Sequence, residues 1–112
     1  MLHIAPQEIA MIVTVFRSRL KADAHADYFD LAPQMSALAQ TMPGYISHKV
    51  FRAEDGERVI IVEFEDEAGQ REWSLNVLHV SAKKQGRANF YAEYNVKVCQ
   101  VLRESRFKAD DS

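Results

Sequence analysis

Cysteine is scarce in this 112-residue sequence, which contains only Cys99. A lone cysteine cannot form an intramolecular disulfide, and no Cys/His cluster stands at the spacing of a zinc site. We therefore expect a domain without a metal, and we predict a cytoplasmic protein because its thiol suits a reducing compartment. Cys99 itself is expected to be a packed or interfacial thiol rather than a nucleophile.

Long apolar runs and an excess of positive charge are also missing. The longest apolar stretch, near residues 9–16, is interrupted by Thr14 and is far shorter than a membrane-spanning helix. Residues 1–8 lack the basic patch and apolar core of an export signal. With a formal net charge of -2, the chain has no general attraction to nucleic acid or to an anionic membrane surface. We therefore expect neither partner.

The composition is that of a globular protein, with 47% hydrophobic and 27% charged residues. This balance supports a packed core and excludes a wholly disordered chain. A chain of this length is the size of one ordinary domain. We predict a single domain over residues 1–112, with its core at about 9–107 and a polar tail at 108–112.

The hydrophobic pattern predicts the order strand, helix, strand, strand, helix, strand. β-branched and apolar residues at 9–16 begin the first strand. Apolar positions at spacings of three and four, from His25 to Ala39, predict the first helix. We expect a kink or a break at Pro33, because its ring crowds the carbonyl of Phe29.

The second half of the chain is read in the same way. The predicted elements are two antiparallel strands at 45–52 and 58–64, a helix at 65–76, a further helical piece at 80–90, and a last strand at 91–107. The prediction of the last strand rests on the alternation of side chains that starts at Tyr91 and continues to Phe107.

Both faces of the predicted sheet avoid water. In the third strand, all residues from Val59 to Val62 are apolar, although neighbouring side chains point to opposite faces. Two helices can cover only one face of a four-stranded sheet, so a monomer would expose the other face. We predict a homodimer in which two sheets pack face to face and bury roughly 800 Å² or more per subunit.

Trp73, Asn76 and His79 on the second helix form the most suggestive group of polar and aromatic side chains. Trp73 and Asn76 lie one turn apart on the same face. An indole, an amide and an imidazole can together bind a flat, oxygenated ligand. The alternative is a core tryptophan beside a solvated helix end, since such groups often arise from composition alone. His48 fits a structural histidine better than a ligand or a base.

The order of several short motifs resembles that of the antibiotic biosynthesis monooxygenase family, within the dimeric α+β barrel superfamily. The motifs are Val15-Phe16-Arg17-Ser18-Arg19-Leu20, Met42-Pro43-Gly44-Tyr45, Val62-Glu63-Phe64-Glu65, Trp73 with His79, Gly86-Arg87, Tyr91 and Tyr94. The resemblance covers about residues 9–107. It implies an α+β, ferredoxin-like βαββαβ subunit with an antiparallel four-stranded sheet, which forms a dimeric α+β barrel with a ligand cleft between each sheet and its own helices.

Some members of that family oxidise phenolic, polycyclic or quinol-like compounds with dioxygen and without flavin or metal. The resemblance therefore implies a small aromatic substrate and no cofactor. By the same resemblance, Trp73 would stack on the substrate, Asn76 would hydrogen-bond one of its oxygens, and His79 would be the base. The residues expected to line the pocket are Phe16, Tyr28, Phe64 and Tyr91.

Two other functions stay open at this point. The domain could be a non-catalytic ligand-binding or stress-response protein, because a fold does not determine an activity. Haem-degrading relatives use an asparagine on the first strand together with a tryptophan and a ligating histidine. Residues 9–17 contain no asparagine, and Phe16 stands near that place. Haem degradation is therefore the weaker alternative.

Overall fold

The structure, a computed structural model, describes residues 10–23, 25–79 and 90–110, and the side chains of all of these except 25–31 and 77–79. Strands and helices follow one another in the order that the sequence predicts. They are β1 (Ile12–Leu20), α1 (His25–Gln40), β2 (Tyr45–Arg52), β3 (Arg58–Phe64), α2 (Glu67–His79) and β4 (Tyr91–Gln100). The further helical piece predicted at 80–90 lies, except for Phe90, outside the described residues.

The four strands form one antiparallel sheet with the spatial order β2-β3-β1-β4. β1 pairs with β3 on one side and with β4 on the other, so the first strand of the chain is central. α1 connects β1 to β2, and α2 connects β3 to β4. This arrangement confirms the predicted α+β, ferredoxin-like βαββαβ fold.

Burial separates the two faces of the sheet. The helix-facing side carries the buried residues Ile12, Thr14 and Ser18 of β1 and Ile60, Val62 and Phe64 of β3. The odd-numbered residues of β1 and β3 point to the opposite side, which we call the open face. Its central positions are the half-buried Val13, Val15, Val59 and Ile61. The helices therefore shield one face only, as the number of helices predicts.

α1 continues through Pro33 from His25 to Gln40. The predicted break at Pro33 is therefore wrong. Residues on both sides of Pro33 are held by tertiary packing, since Ala39 is fully buried and Ala32 packs against Phe90. Packing of this kind supplies most of the stability of a helix in a protein and can override a local residue preference. Pro33 itself is exposed on the solvent side of α1.

β4 ends at Gln100, and the predicted continuation of this strand to Phe107 is wrong. The backbone amide of Val101 still donates to the carbonyl oxygen of Met11, at 2.9 Å. Gln100 lies opposite Ile12, where β1 begins, so among the described residues β4 has no strand partner beyond this point. Residues 102–110, which we call the arm, have no regular secondary structure.

The start of α2 lies against the turn that precedes β2. The carboxylate of Asp66 caps the helix by accepting a hydrogen bond from the backbone amide of Gly69, at 3.1 Å. Gly44 in the turn has a positive φ of 80°, which favours glycine. Gly69 is buried against the carbonyl of Pro43, where there is no space for a side chain. This close approach positions the next turn of α2, which carries Trp73.

Replacing Gly69 by alanine should lower the free energy of unfolding by about 1–3 kcal/mol, because the added methyl group would overlap the carbonyl oxygen of Pro43. The exposed neighbour Ala68 provides the control, and Ala68→Gly should cost about 0.5–1 kcal/mol from helix propensity alone. Denaturant unfolding followed by circular dichroism measures both variants. A Gly69→Ala protein as stable as the parent would contradict this close contact.

Candidate functional site

Two groups of aromatic side chains lie on the helix-facing side of the sheet. In the first group, the ring of Phe16 is 5.5 Å from that of Tyr91 and 5.5 Å from that of Tyr94, measured between ring centroids. Tyr91 and Tyr94 are themselves 5.4 Å apart. β1 contributes Phe16 and β4 contributes both tyrosines, so the pairing of these two strands assembles the group.

The second group is centred on Phe64 at the end of β3. Its ring lies 6.2 Å from that of Tyr45 and 5.9 Å from that of Trp73, again between centroids. Phe64 is fully buried, whereas Tyr45 and Trp73 are half-buried. Phe16 also packs against the core cluster that contains Phe64, so the two groups belong to one continuous surface.

The β4 side of this surface is the more exposed side. Val96 lies opposite Phe16 in the strand register and is 49% exposed. Val98 lies opposite Thr14 and is 52% exposed. Flat aromatic molecules bind well to surfaces of aromatic and aliphatic side chains. This part of the sheet therefore offers a suitable contact surface beside Phe16.

Trp73 points into the fold from α2 and carries an unused hydrogen-bond donor. Its Nε1 is buried and has no hydrogen-bond partner among the described residues. A buried indole N–H normally finds a partner, and leaving it unpaired costs about 1–3 kcal/mol. Trp73 thus offers both an aromatic surface for stacking and an N–H that could donate a hydrogen bond to a ligand oxygen.

Asn76, one turn further along α2, is exposed, and its Nδ2 donates to the backbone carbonyl of Glu72 at 2.9 Å. Trp73 and Asn76 therefore share a helix but differ in environment, since only Trp73 is half-buried. His79 is the last residue of α2, and its side chain lies outside the described residues. The structure thus locates two members of the predicted catalytic group and the backbone of the third.

The four predicted pocket residues fall into different environments. Phe16 and Tyr91 touch each other, with their rings perpendicular. Phe64 is fully buried and supports the ring of Trp73 from the core. The side chain of Tyr28 lies outside the described residues.

Thr14 and Ser18 flank Phe16 on the helix-facing side of β1 and were not among the residues predicted from the sequence. They are 3% and 1% exposed, and neither hydroxyl has a hydrogen-bond partner in the described part of the chain. Their alternation with Ile12 and Phe16 was the available signal, because alternate residues of a strand share a face. Buried polar residues are unusual on the face of a sheet that packs against helices.

His48 lies on the helix-facing side of β2, opposite Val62 in the strand register. It is half-buried, and this burial lowers the pKa of its imidazole below the ordinary value of 6.5. Burial acts in this direction because the charged form loses hydration. His48 is therefore held in the neutral form near neutral pH.

Two ion pairs of β1 lie on the open face, away from the aromatic groups. The guanidinium of Arg17 donates to both carboxylate oxygens of Glu57, at 3.0 and 2.9 Å. Arg19 donates to Asp55 Oδ2 at 2.6 Å. The backbone amide of Glu57 and the guanidinium of Arg19 lower the pKa of Asp55. These pairs connect β1 to the turn between β2 and β3 and are not part of the candidate site.

Within residues 10–23, 25–79 and 90–110, no group of three or more His, Cys, Asp or Glu side chains could hold a metal ion. In the same part of the chain, neither helix is long and apolar enough to cross a membrane.

The chain is similar to a known protein family and to a known bacterial protein. The model of the family described as antibiotic biosynthesis monooxygenase matches residues 11–85, which include β1, β3 and α2. The uncharacterized protein YqjZ of Bacillus subtilis (strain 168) is 28% identical over 94 residues, covering 84% of this chain and 82% of YqjZ. The segment that the family model covers includes Phe16 and Trp73, whereas Tyr91 and Tyr94 lie beyond it.

Solved structures share the same fold. SnoaB, a cofactor-independent oxygenase from Streptomyces nogalater, superimposes with a TM-score of 0.70 at 17% identity, covering 86% of this chain and 96% of SnoaB. Rv0793 from Mycobacterium tuberculosis gives a TM-score of 0.74 at 17% identity, covering 87% of this chain and all of Rv0793 (100%). At such identities the similarity establishes the fold alone.

His48 should make the stability of the fold depend on pH near neutrality. Because the pKa of folded His48 is lowered, the unfolded chain binds this proton more readily. The contribution of neutral His48 is complete above the unfolded pKa of 6.5 and is lost as the pH falls through the lower folded pKa. Melting temperatures measured between about pH 7.5 and about pH 5.5 should fall less for His48→Gln than for the parent protein. Equal slopes would contradict this assignment.

Proposed function

The chain belongs to the antibiotic biosynthesis monooxygenase family, and on this basis we propose that it oxidises a small aromatic or quinol-like compound with dioxygen and without a cofactor. The observation that carries the proposal is the half-buried Trp73, on the same side of the sheet as the Phe16, Tyr91 and Tyr94 rings, whose indole N–H has no partner among the described residues. This combination suits a ligand that is flat and also carries oxygen atoms.

In such a reaction the substrate supplies all the electrons. A phenol loses its O–H hydrogen and the hydrogen of an activated ring carbon. One atom of dioxygen becomes a carbonyl oxygen on that carbon, and the other leaves as water. The four electrons that reduce dioxygen therefore come from the aromatic ring. The protein has to remove a proton, orient the ring towards oxygen and exclude water.

In this proposal Trp73 is the positioning surface for the substrate. Its ring is held by the buried Phe64, at 5.9 Å between centroids, so the indole plane has a rigid support. A preorganised aromatic surface reduces the entropy that a bound substrate loses and so favours a reactive orientation. The indole N–H would donate to an oxygen of the substrate.

Asn76 and His79 complete the proposed group. Because Asn76 Nδ2 donates to the carbonyl of Glu72, its Oδ1 is the atom assigned to accept a hydrogen bond from a substrate hydroxyl. His79 is proposed as the base, since an imidazole exchanges a proton near neutral pH. Both residues follow Trp73 on α2, so one helix would present the polar groups and the sheet would present the apolar surface.

We also propose that two copies pair through their open faces. The centre of this face is apolar, with Val13, Val15, Val59 and Ile61. Charged pairs such as Arg17 with Glu57 lie at one end of it. An apolar centre with a polar rim is the usual composition of a stable interface. Cys99 lies opposite Val13 in the strand register, so its thiol would be covered by the second copy.

The arm supports the same proposal. Leu102 and Phe107 are 83% and 91% exposed within a single copy. Large apolar side chains are seldom left this exposed unless another surface covers them. Since Val101 makes the hydrogen bond that ends the pairing with β1, the arm is free to lie across a second copy. We assign Leu102 and Phe107 to this contact.

Replacing Trp73 by alanine should reduce oxygen uptake with phenolic and quinol substrates by about tenfold or more, because the stacking surface is lost. Trp73→Phe, which keeps a ring but removes the N–H, should give an intermediate rate. Leu75→Ala changes an exposed residue of the same helix and is the matched control. An oxygen electrode measures the uptake above the uncatalysed rate.

Three results would redirect the proposal. Unchanged turnover of Trp73→Ala would exclude this site. Binding of an aromatic ligand without any oxygen uptake would indicate a non-catalytic binding protein of the same fold. A Soret band on titration with haem, together with haem breakdown, would instead support haem degradation.

Replacing Val15 by lysine should weaken the homodimer more than about 100-fold, because an unpaired charge would be buried at the centre of the interface. The matched control is Leu75→Lys, which places the same charge on an exposed position of α2. Analytical ultracentrifugation gives the oligomeric state, and the rate of reaction of Cys99 with a thiol reagent should rise as the dimer separates. A monomeric parent protein, or a dimer unchanged by Val15→Lys, would contradict the proposed interface.

A further inference from the structure

We propose that Tyr91 and Tyr94 form an oxidation site, at which one-electron oxidants couple the two phenol rings into an intramolecular dityrosine. The site goes beyond the proposed function, since it is a covalent modification of the chain and requires no substrate. The observation behind it is a contact between two oxidisable rings that a regular strand would hold on opposite faces of the sheet.

A β-bulge in β4 brings the two tyrosines to the same side of the sheet. Side chains three residues apart in a regular strand point to opposite faces. Tyr91 and Glu93 pair with consecutive residues of β1, so Ala92 between them is the extra residue of the bulge. One extra residue shifts the alternation by one position, and Tyr94 therefore points to the same side as Tyr91. Bulges often re-aim a side chain in this way beside functional sites.

The geometry of the contact suits coupling of the two rings. Their centroids are 5.4 Å apart and their planes meet at 67°, so the edge of one ring approaches the face of the other. The terminal torsion of a tyrosine side chain has a broad energy minimum, so ring rotation can bring two ortho carbons together. Both rings are half-buried, which limits their contact with phenols of other protein molecules. Coupling within one chain is therefore favoured over coupling between copies.

The neighbouring rings leave the pair as the place where oxidation ends. Phe16 lies 5.5 Å from each of the two tyrosines, and Phe90 lies 6.5 Å from Tyr91, between ring centroids. A phenylalanine ring is much harder to oxidise than a phenol, so these two rings do not compete for the oxidant. Tyr45 packs instead on Phe64, at 6.2 Å. A radical on Tyr45 would thus lie against a ring with which it cannot form a dityrosine.

The coupling balances in atoms and electrons. Each tyrosine gives one electron to the oxidant and its phenolic proton to water. The two radicals form one carbon–carbon bond between the positions ortho to the phenol oxygens. The hydrogens on the newly bonded carbons then move to these oxygens and restore both hydroxyl groups. In total, the pair loses two electrons and two protons, which is the loss of two hydrogen atoms.

The cross-link would act on the candidate site, because both tyrosine rings contact Phe16. Joined rings can no longer rotate independently, so the aromatic surface beside Phe16 would become fixed in shape. The pair would thus be an oxidation-sensitive part of this surface. If the proposed function holds, reduction of dioxygen nearby is one source of such oxidants. The modification itself does not depend on that source.

The test oxidises the purified protein with photo-excited tris(bipyridyl)ruthenium(II) and persulfate, which together supply one-electron oxidants. Trypsin cleaves after Arg87 and Lys97 and leaves both tyrosines in one peptide, residues 88–97. By mass spectrometry, this peptide should lose two hydrogen atoms and should resist fragmentation between positions 91 and 94. Dityrosine fluorescence should rise with it, and the yield should not change when the protein is diluted before oxidation.

Three variants control for the geometry. Tyr94→Phe should abolish the loss of two hydrogen atoms, whereas Tyr45→Phe, which removes a tyrosine outside the pair, should leave the yield unchanged. The double variant Tyr94→Phe with Asn95→Tyr keeps the number of phenols but moves one to the open face, since Asn95 lies opposite Arg17. This variant should form no link within the peptide.

Several results would overturn the oxidation site. One is oxidation of tyrosine or tryptophan in the parent protein without the loss of two hydrogen atoms from peptide 88–97. Equal linking in the double variant would show that flexibility, and not the bulge, brings the phenols together. A yield that falls with Tyr45→Phe, or a doubled peptide that disappears on dilution, would assign the coupling to other tyrosines. None of these readouts measures oxygen uptake, so this inference and the proposed function can fail separately.

Discussion

The packing of α2 on the central strands, through Phe64 and Trp73, is the interaction on which the rest of the structure depends. Phe64 is fully buried and lies 5.9 Å from the indole of Trp73. The buried Gly69, without a side chain, lets the first turn of α2 approach Pro43. The same contact that buries the core therefore orients the tryptophan of the candidate site. The proposed function would therefore couple stability and ligand positioning through one helix.

The two faces of the sheet divide the remaining tasks. The helix-facing side contains the core and the aromatic surface, and it leaves the hydroxyls of Thr14 and Ser18 without partners among the described residues. The open face has its polar groups paired at one end, as between Arg17 and Glu57, and its apolar valines in the centre. An apolar centre with paired charges at one end is the composition that a subunit interface requires.

Local patterns predicted the fold well where one periodicity dominated. The continuous apolar runs of β1 and β3, and the pair of antiparallel strands at 45–52 and 58–64, were visible in the sequence. Two predictions failed for a shared reason. Pro33 is accepted within α1 because contacts elsewhere hold the helix, and β4 stops at Gln100, which lies opposite the first residue of β1. Neither partner is local in sequence, so neither could be read from the residues nearby.

The sequence by itself determined the order of elements, the water-avoiding character of both sheet faces and the presence of Trp73 on the second helix, because these follow from residue type and spacing. Only the tertiary structure decided which side chains meet. The contact of Phe16 with Tyr91 depends on the register between β1 and β4, and the burial of Thr14 and Ser18 depends on which face the helices cover. Register and burial arise from contacts between residues far apart in the chain, and a local pattern carries little information about them.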